Sequence, residues 1–317
     1  MRYPLSPEAH PATSVTDSLA LSIDVGGTKT RVAIIDEQGR VLMVDEVATS
    51  VDGGADPRLE HSLALAQDIA RRAIDQGWRI DAIGVGIPEY VDALGRLRSR
   101  DVIAWDRQPL EVFEVMGPVT VESDVRCGAV AEATVGAGRD APSMLYASIG
   151  TGISSTLVLD GLPWRGSRGE AIALGELPVD RSLDAGSAAT VEQFASGAAI
   201  GRRYSRLTGE SVPGAREVIA RADAQDLRAA AVVESAAVAL GAALAWAVHL
   251  VDPERVVLGG GLGASGGRWA DIVRDSYVAR SRPEAPPLVP ASLGGDSGAV
   301  GAGIIALARK NEAHDRA

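Results

Sequence analysis

The sequence predicts an α/β fold of two lobes, with duplicated mixed sheets and a cleft between the lobes. Three observations lead there. Residues 19–36 read as strand, glycine-rich turn and strand, and residues 144–160 repeat that pattern. In the first copy Asp24 precedes Gly26-Gly27-Thr28, with Asp36 twelve residues after Asp24. In the second, Ser148 precedes Gly150-Thr151-Gly152, with Asp160 twelve residues after Ser148. Helix and strand patterns alternate around the two hairpins, and 317 residues give room for two lobes of roughly 150 residues each.

Residues 1–18 are rich in Pro, Ser, Thr and His and hold no apolar run, so a loose tail without a signal peptide is expected. After the first hairpin, Glu37-Gln38-Gly39 turns the chain into a third strand over 41–47. Helical spacing predicts a helix over 57–76, and 80–87 reads as a buried strand. A β-rich run ends at Ser123-Asp124, where an Ala-rich helix begins. Beyond the second hairpin, helices are expected over 191–208, 215–221, 225–250, 267–281 and 298–309. The strand 255–258 runs into Gly259-Gly260-Gly261. The expected division is a small lobe over 19–122, a large lobe over 123–297, and a C-terminal helix, 298–312, packed back on the small lobe. The longest apolar run, 235–251, is Ala-rich, short for a membrane span and carries His249. It reads as a buried helix, with His249 in the core or an interface. Cys127 reads as a packing residue.

Composition narrows the function. The chain carries 31 Lys+Arg against 42 Asp+Glu, a net charge of −11, and its adjacent arginines are only pairs such as Arg71-Arg72 and Arg202-Arg203. Such a surface repels phosphate backbones and anionic lipid, which argues against nucleic-acid and membrane partners. A single cysteine excludes an intramolecular disulfide framework and a multi-cysteine zinc site, and fits a reducing, cytoplasmic setting.

The glycine turns carry the chemistry. Gly-Gly-Thr and Gly-Thr-Gly expose backbone N–H groups with no Cβ in the way, and such concavities hold phosphate oxygens. Thr28 and Thr151 add hydroxyl donors. Asp24, at a strand end beside the first turn, can hold Mg²⁺, in particular through water. No G-x-x-x-x-G-K-[ST] occurs, so this is not a P-loop protein. Two ordinary hairpins would show the same glycines. Asp124, at the strand-to-helix junction, suits either a helix cap or a catalytic carboxylate, and the two roles are compatible.

These motifs resemble the ROK sugar kinases of the actin-like (ribonuclease H-like) ATPase superfamily, over roughly residues 19–307. The resemblance rests on Ile23-Asp24-Val25-Gly26-Gly27-Thr28-Lys29, Gly84-Val85-Gly86-Ile87-Pro88, Trp105, Val121-Glu122-Ser123-Asp124 with Ala131-Glu132, Ser148-Ile149-Gly150-Thr151-Gly152-Ile153, and the run from Asp252 to Gly261. It implies an ATP-dependent sugar kinase that uses Mg²⁺ and acts on a small sugar, with a homodimer as the assembly the family suggests. Gly26, Gly27, Thr28, Lys29, Gly150, Thr151 and Gly152 would surround the ATP phosphates. Asp24 would orient Mg²⁺, Gly260 and Gly261 would lie against the adenosine, and Asp124 would be the general base toward a sugar hydroxyl, the 6-hydroxymethyl first. Repressor members carry an extra N-terminal DNA-binding domain, for which the 18 residues before the first strand are too few.

The departures fall on the expected sugar ligands. Glu89 follows Pro88 where the family has glycine, and Ser123 stands for an asparagine. Glu176 and Glu192 match the family's sugar-binding glutamates, but Val179 replaces its histidine. The loop over 183–190 has no cysteine, so no zinc is expected. Glu89, Ser123, Asp124, Glu176, Val179 and Glu192 are therefore the expected substrate residues. Four carboxylates in one dry site call for a cation, which a protonated amine on the substrate would supply. Kanosamine and C7-cyclitol kinases are relatives of this kind. The other readings are that Glu89 faces solvent and Val179 merely packs, that the protein is a glucokinase, or that it is a non-catalytic sugar sensor.

Overall fold

Asp24 is the one residue of β1 (Leu19–Val25) that is not fully buried. The apolar run around it makes β1 the centre of a sheet covered on both faces. The computed structural model describes residues 18–315, except 28, 52–53, 57, 181–182 and 184–187. The expected tail up to residue 17, Thr28 and most of the cysteine-free loop lie outside the described residues.

β1 pairs antiparallel with β2 (Lys29–Asp36), and β2 with β3 (Val41–Ala48). On its other side β1 runs parallel to β6 (Ile80–Ile87), and β6 to β7 (Val119–Ser123). The order is β3-β2-β1-β6-β7. A second sheet repeats this plan with β8 (Ser143–Ile149), β9 (Ile153–Leu159), β10 (Leu162–Trp164), β11 (Arg255–Gly259) and β12 (Leu288–Pro290), in the order β10-β9-β8-β11-β12. Each sheet has an antiparallel outer hairpin and two parallel strands on the far side. The duplication expected from the two glycine hairpins is the architecture observed. β4 (Ser50–Val51) and β5 (Gly54–Ala55) form a small separate ladder.

α1 (Glu60–Asp75) covers one face of the first sheet. It starts three residues later than the sequence suggests. The Asp56 carboxylate accepts the N–H groups of Glu60 and His61 at 3.0 and 3.1 Å, so that buried aspartate, and not residue 57, fixes the first turn. α2 (Pro109–Phe113) precedes β7, and α3 (Asp124–Val135) leaves it. The C-terminal helix α10 (Ser297–Asp315) covers the other face, touching β1, β2, β6, β7 and also α3. It seats closely because β6 has glycine at position 84, where a Cβ would run into the Ala302 carbonyl.

The second sheet is packed by α4 (Val191–Ala195), α5 (Gly197–Thr208), α6 (Ala215–Asp223), α7 (Leu227–Val251), the short α8 (Gly260–Gly263) and α9 (Arg268–Arg280). α7 is long and apolar enough to cross a membrane, yet most of it is buried among α4, α6 and α9. His249, however, is exposed at its end, with its ring edge-on to Trp246, and not in the core. The single helix expected over 191–208 is two helices. Ser196 takes an extended backbone (ψ 161°), and its hydroxyl caps α5 by accepting Ala199 N–H at 3.2 Å.

Candidate active site

The C-terminal ends of β1, β6 and β7 and the two glycine turns converge on one region. Asp24 lies at the end of β1, paired in register with Arg31 on β2 and Gly86 on β6. Its carboxylate abuts the first turn of α10, where a Cβ on residue 298 would run into it, so glycine is required there. Burial pushes the Asp24 carboxyl up to about 6, against the lowering charges of Arg31 and Lys29. Asp124 is the first residue of α3, and its Oδ1 accepts its neighbour Val125 N–H at 2.6 Å. Ser123 occupies the cap position without a side-chain bond. Burial pushes Asp124 up to about 7, helped by the negative charges of Asp24 and Glu89. The Val125 N–H and the Arg126 charge act the other way. A carboxylate that titrates near neutrality is suited to take a proton from a hydroxyl.

The first glycine turn closes through Gly26 N–H to Lys29 C=O at 2.9 Å. Lys29 Nζ pairs with Glu46 at 2.8 Å on an exposed edge. In the second turn, Gly150 N–H donates to Gly152 C=O at 2.9 Å. The Gly150 and Thr151 carbonyls accept Gly197 and Ala198 N–H from the first turn of α5, at 2.8 and 3.3 Å. The break at Ser196 is thus what brings α5's free N–H groups onto the turn. Gly260 takes φ +75°, and a Cβ there would sit 2.5 Å from the Ile149 carbonyl, so β11 ends against β8 only with glycine. Gly261 beside it faces open space.

A cavity of about 130 Å³ opens beside Asp124. Ser123, Asp124, Glu176 and Glu192 line it, as expected, and so do Tyr90 and Asp101, which sequence reasoning missed. Glu192 Oε2 accepts Ile153 N–H at 2.7 Å. Burial raises the Tyr90 hydroxyl, and so do the charges of Glu176, Glu192, Glu170 and Asp101 around it. Among the described residues no Arg, Lys or His lines this cavity.

Two expected substrate residues need correction. Glu89 reaches the cavity wall, but both its oxygens are taken. It accepts the Ser99 hydroxyl, the N–H groups of Asp101, Val102 and Ile103, and the Trp105 indole N–H at 3.0 Å. It holds the 99–105 loop rather than a sugar, and it does not face solvent. Val179 is 7% exposed and belongs to the core of the second sheet. The Pro178–Thr190 bridge and the Val179 N–H to Ala189 bond pair its backbone with the 189–190 segment, and it is not among the residues lining the cavity beside Asp124. It lines a different cavity, with Val191, Ala243 and Trp246.

Sequence reasoning also missed a buried charge cluster around Asp124. Glu122 and Arg126 flank it and are each 1% exposed, and Arg165 joins them from the segment after β10. An arginine in an Ala-rich buried helix was the available signal.

Among the described residues no group of three or more His, Cys, Asp or Glu is arranged to hold a metal. A magnesium ion needs less, since it keeps several waters and takes one or two carboxylates beside substrate phosphates. Asp24 fits that role. Burial raises its carboxyl to about 6, and a cation beside it would favour its charged form.

A sequence model of the ROK family matches residues 20–309. The kanosamine kinase of Amycolatopsis mediterranei is 34% identical over 311 residues, 91% of this chain and 95% of that protein. The ROK hexokinase from Thermus thermophilus superposes with a TM-score of 0.79 at 31% identity, covering 93% of this chain and 99% of that one. A ROK family glucokinase from Streptomyces griseus, in complex with glucose and AMPPNP, gives 0.75 at 29%, covering 92% and 100%.

Proposed function

The chain belongs to the ROK family and is an ATP-dependent carbohydrate kinase, and from that premise we propose that it phosphorylates an amino-bearing hexose with Asp124 as general base. The sugar hydroxyl oxygen attacks the γ-phosphorus of ATP and its proton passes to Asp124. The bond to the β-phosphate oxygen breaks, and ADP leaves. The turns at Gly26-Gly27 and Gly150-Thr151-Gly152 bind the phosphates, and Gly260 and Gly261 lie against the adenosine, Gly150 and Gly261 being the glycines of these that face open space. Asp24 would hold Mg²⁺, and the ion would neutralise charge on the phosphates. The lobes close on the sugar and exclude water.

One observation carries the substrate reading. The cavity beside Asp124 is lined by the carboxylates of Asp101, Asp124, Glu176 and Glu192 and, among the described residues, by no cationic side chain. A neutral sugar leaves that charge uncompensated, whereas an ammonium group on the sugar balances part of it. The relative named kanosamine kinase agrees with this reading. It does not need the departures at Glu89 and Val179 that first suggested it. The test of the chemistry is ADP release with Mg-ATP over a panel of hexoses and aminohexoses. Turnover that disappears in Asp124→Asn supports the assignment. Sugar binding without turnover in the unmodified protein would favour a sensor.

A further inference from the structure

Three chain segments meet behind Asp124, and charged side chains join them. Glu122 is on β7, two residues before Asp124, and Arg126 is on α3, two residues after it. Glu122 Oε1 accepts the N–H of Ser123 at 2.9 Å and lies 3.1 Å from Arg126 Nη1, an ion pair without hydrogen-bond alignment. Glu122 Oε2 accepts Arg165 Nε at 2.8 Å and also Arg165 Nη2, two bonds converging on one oxygen. Arg126 Nη2 donates to two carbonyls, Val91 at 3.0 Å and Gly169 at 2.9 Å. Residue 169 is pressed so closely on Val91 that a Cβ there would run into the Val91 carbonyl.

The segments so joined are the walls of the sugar cavity. Val91 follows Tyr90. Gly169 and Arg165 begin the segment that continues through Ile172 and Ala173 to Glu176. The β7–α3 junction carries Ser123 and Asp124. We propose that Glu122, Arg126 and Arg165 are positioning residues, a clamp that holds the 165–176 segment and its Glu176 in register with Asp124. Arg165 is the adjustable member. Its side chain is 25% exposed, whereas those of Glu122 and Arg126 are sealed in, and its two bonds to one Glu122 oxygen tie the segment to β7. None of the three side chains lines the cavity, so none is a sugar ligand. Their effect passes through backbone placement, to which enzyme sites are sensitive.

The inference rests on Asp124 being the base, and the test separates the two. Steady-state kinetics on the full chain would compare Arg165→Ala, Arg165→Lys and Asp124→Asn, with calorimetric sugar affinity measured alongside. Arg165→Ala is expected to weaken sugar binding and raise the sugar KM by about tenfold or more while leaving the KM for ATP within about twofold. Arg165→Lys, which keeps the charge and loses the fork, is expected to recover only part of that loss. An unchanged sugar KM in a folded Arg165→Ala protein, or equal rises for sugar and ATP, overturns the clamp. Should Arg165→Ala not fold, Arg165→Lys is read by the same criterion. Full activity in Asp124→Asn would instead overturn the base assignment, whatever Arg165 does.

Discussion

The Trp105 indole N–H donates to Glu89 Oε1 at 3.0 Å, and both residues are buried. This bond closes a set of five donors on a single carboxylate, and that set shapes the 99–105 loop, whose Asp101 lines the cavity beside Asp124.

Glu89→Ala is therefore expected to leave several buried donors unpaired and to cost about 3 kcal/mol or more of unfolding free energy. Chemical denaturation measures it. The pH dependence has a definite sign. Burial raises the Glu89 carboxyl, but the hydrogen bonds from Ser99, Trp105 and the loop N–H groups outweigh it, and the pKa lies below the ordinary 4.5. Its stabilisation is complete above the ordinary value and is lost as pH falls through the folded one. Glu89→Gln should remove that acid-side loss, which thermal melts below pH 5 would show.

Asp124 gives the opposite sign. Its pKa is raised from 3.8 to about 7, so ionising it costs stability as pH rises between those values. Asp124→Asn is expected to melt higher than the unmodified protein above pH 7 and to converge with it below pH 4. The rate should behave in reverse. Because the base must be ionised, kcat/KM for the sugar rises with pH through about 7 and then levels. Asp124→Asn should lower kcat by about 10²–10⁴-fold.

Gly298→Ala would push a methyl group into the Asp24 carboxylate. The expected result is a large loss of kcat and weaker Mg²⁺ dependence, with a modest fall in Tm, because α10 keeps its other contacts with the first sheet. A magnesium titration of the rate checks it.

Val179→His tests the correction at that position. The side chain lies in the core, away from the sugar cavity, so an imidazole there should not improve the KM for glucose. It should lower stability by about 1–3 kcal/mol, the cost of an unpaired buried polar group. An improved glucose KM would show that Val179 faces the sugar after all.

The duplicated sheets were legible because each hairpin puts apolar strands around a glycine turn, a pattern local in sequence. That Ser123, Asp124, Glu176 and Glu192 line one cavity was expected from motifs that are local too. What failed depended on contacts between distant segments. The break at Ser196 answers the turn at Gly150, 46 residues earlier. The Glu89 carboxylate is spent on a loop ten to sixteen residues on. Val179 is buried where its backbone pairs strand-like with the 189–190 segment. Arg126 reads as an anomaly in an apolar helix until Glu122, Val91 and Gly169 are seen around it.

The most direct test of the substrate reading is the ratio of kcat/KM for 3-amino-3-deoxyglucose to that for glucose, measured with saturating Mg-ATP near pH 7. A cavity lined by carboxylates, with no cation among the described residues, predicts a ratio of about ten or more in favour of the amino sugar. A ratio at or below one would contradict it and leave a glucose-type kinase whose acidic wall serves another purpose.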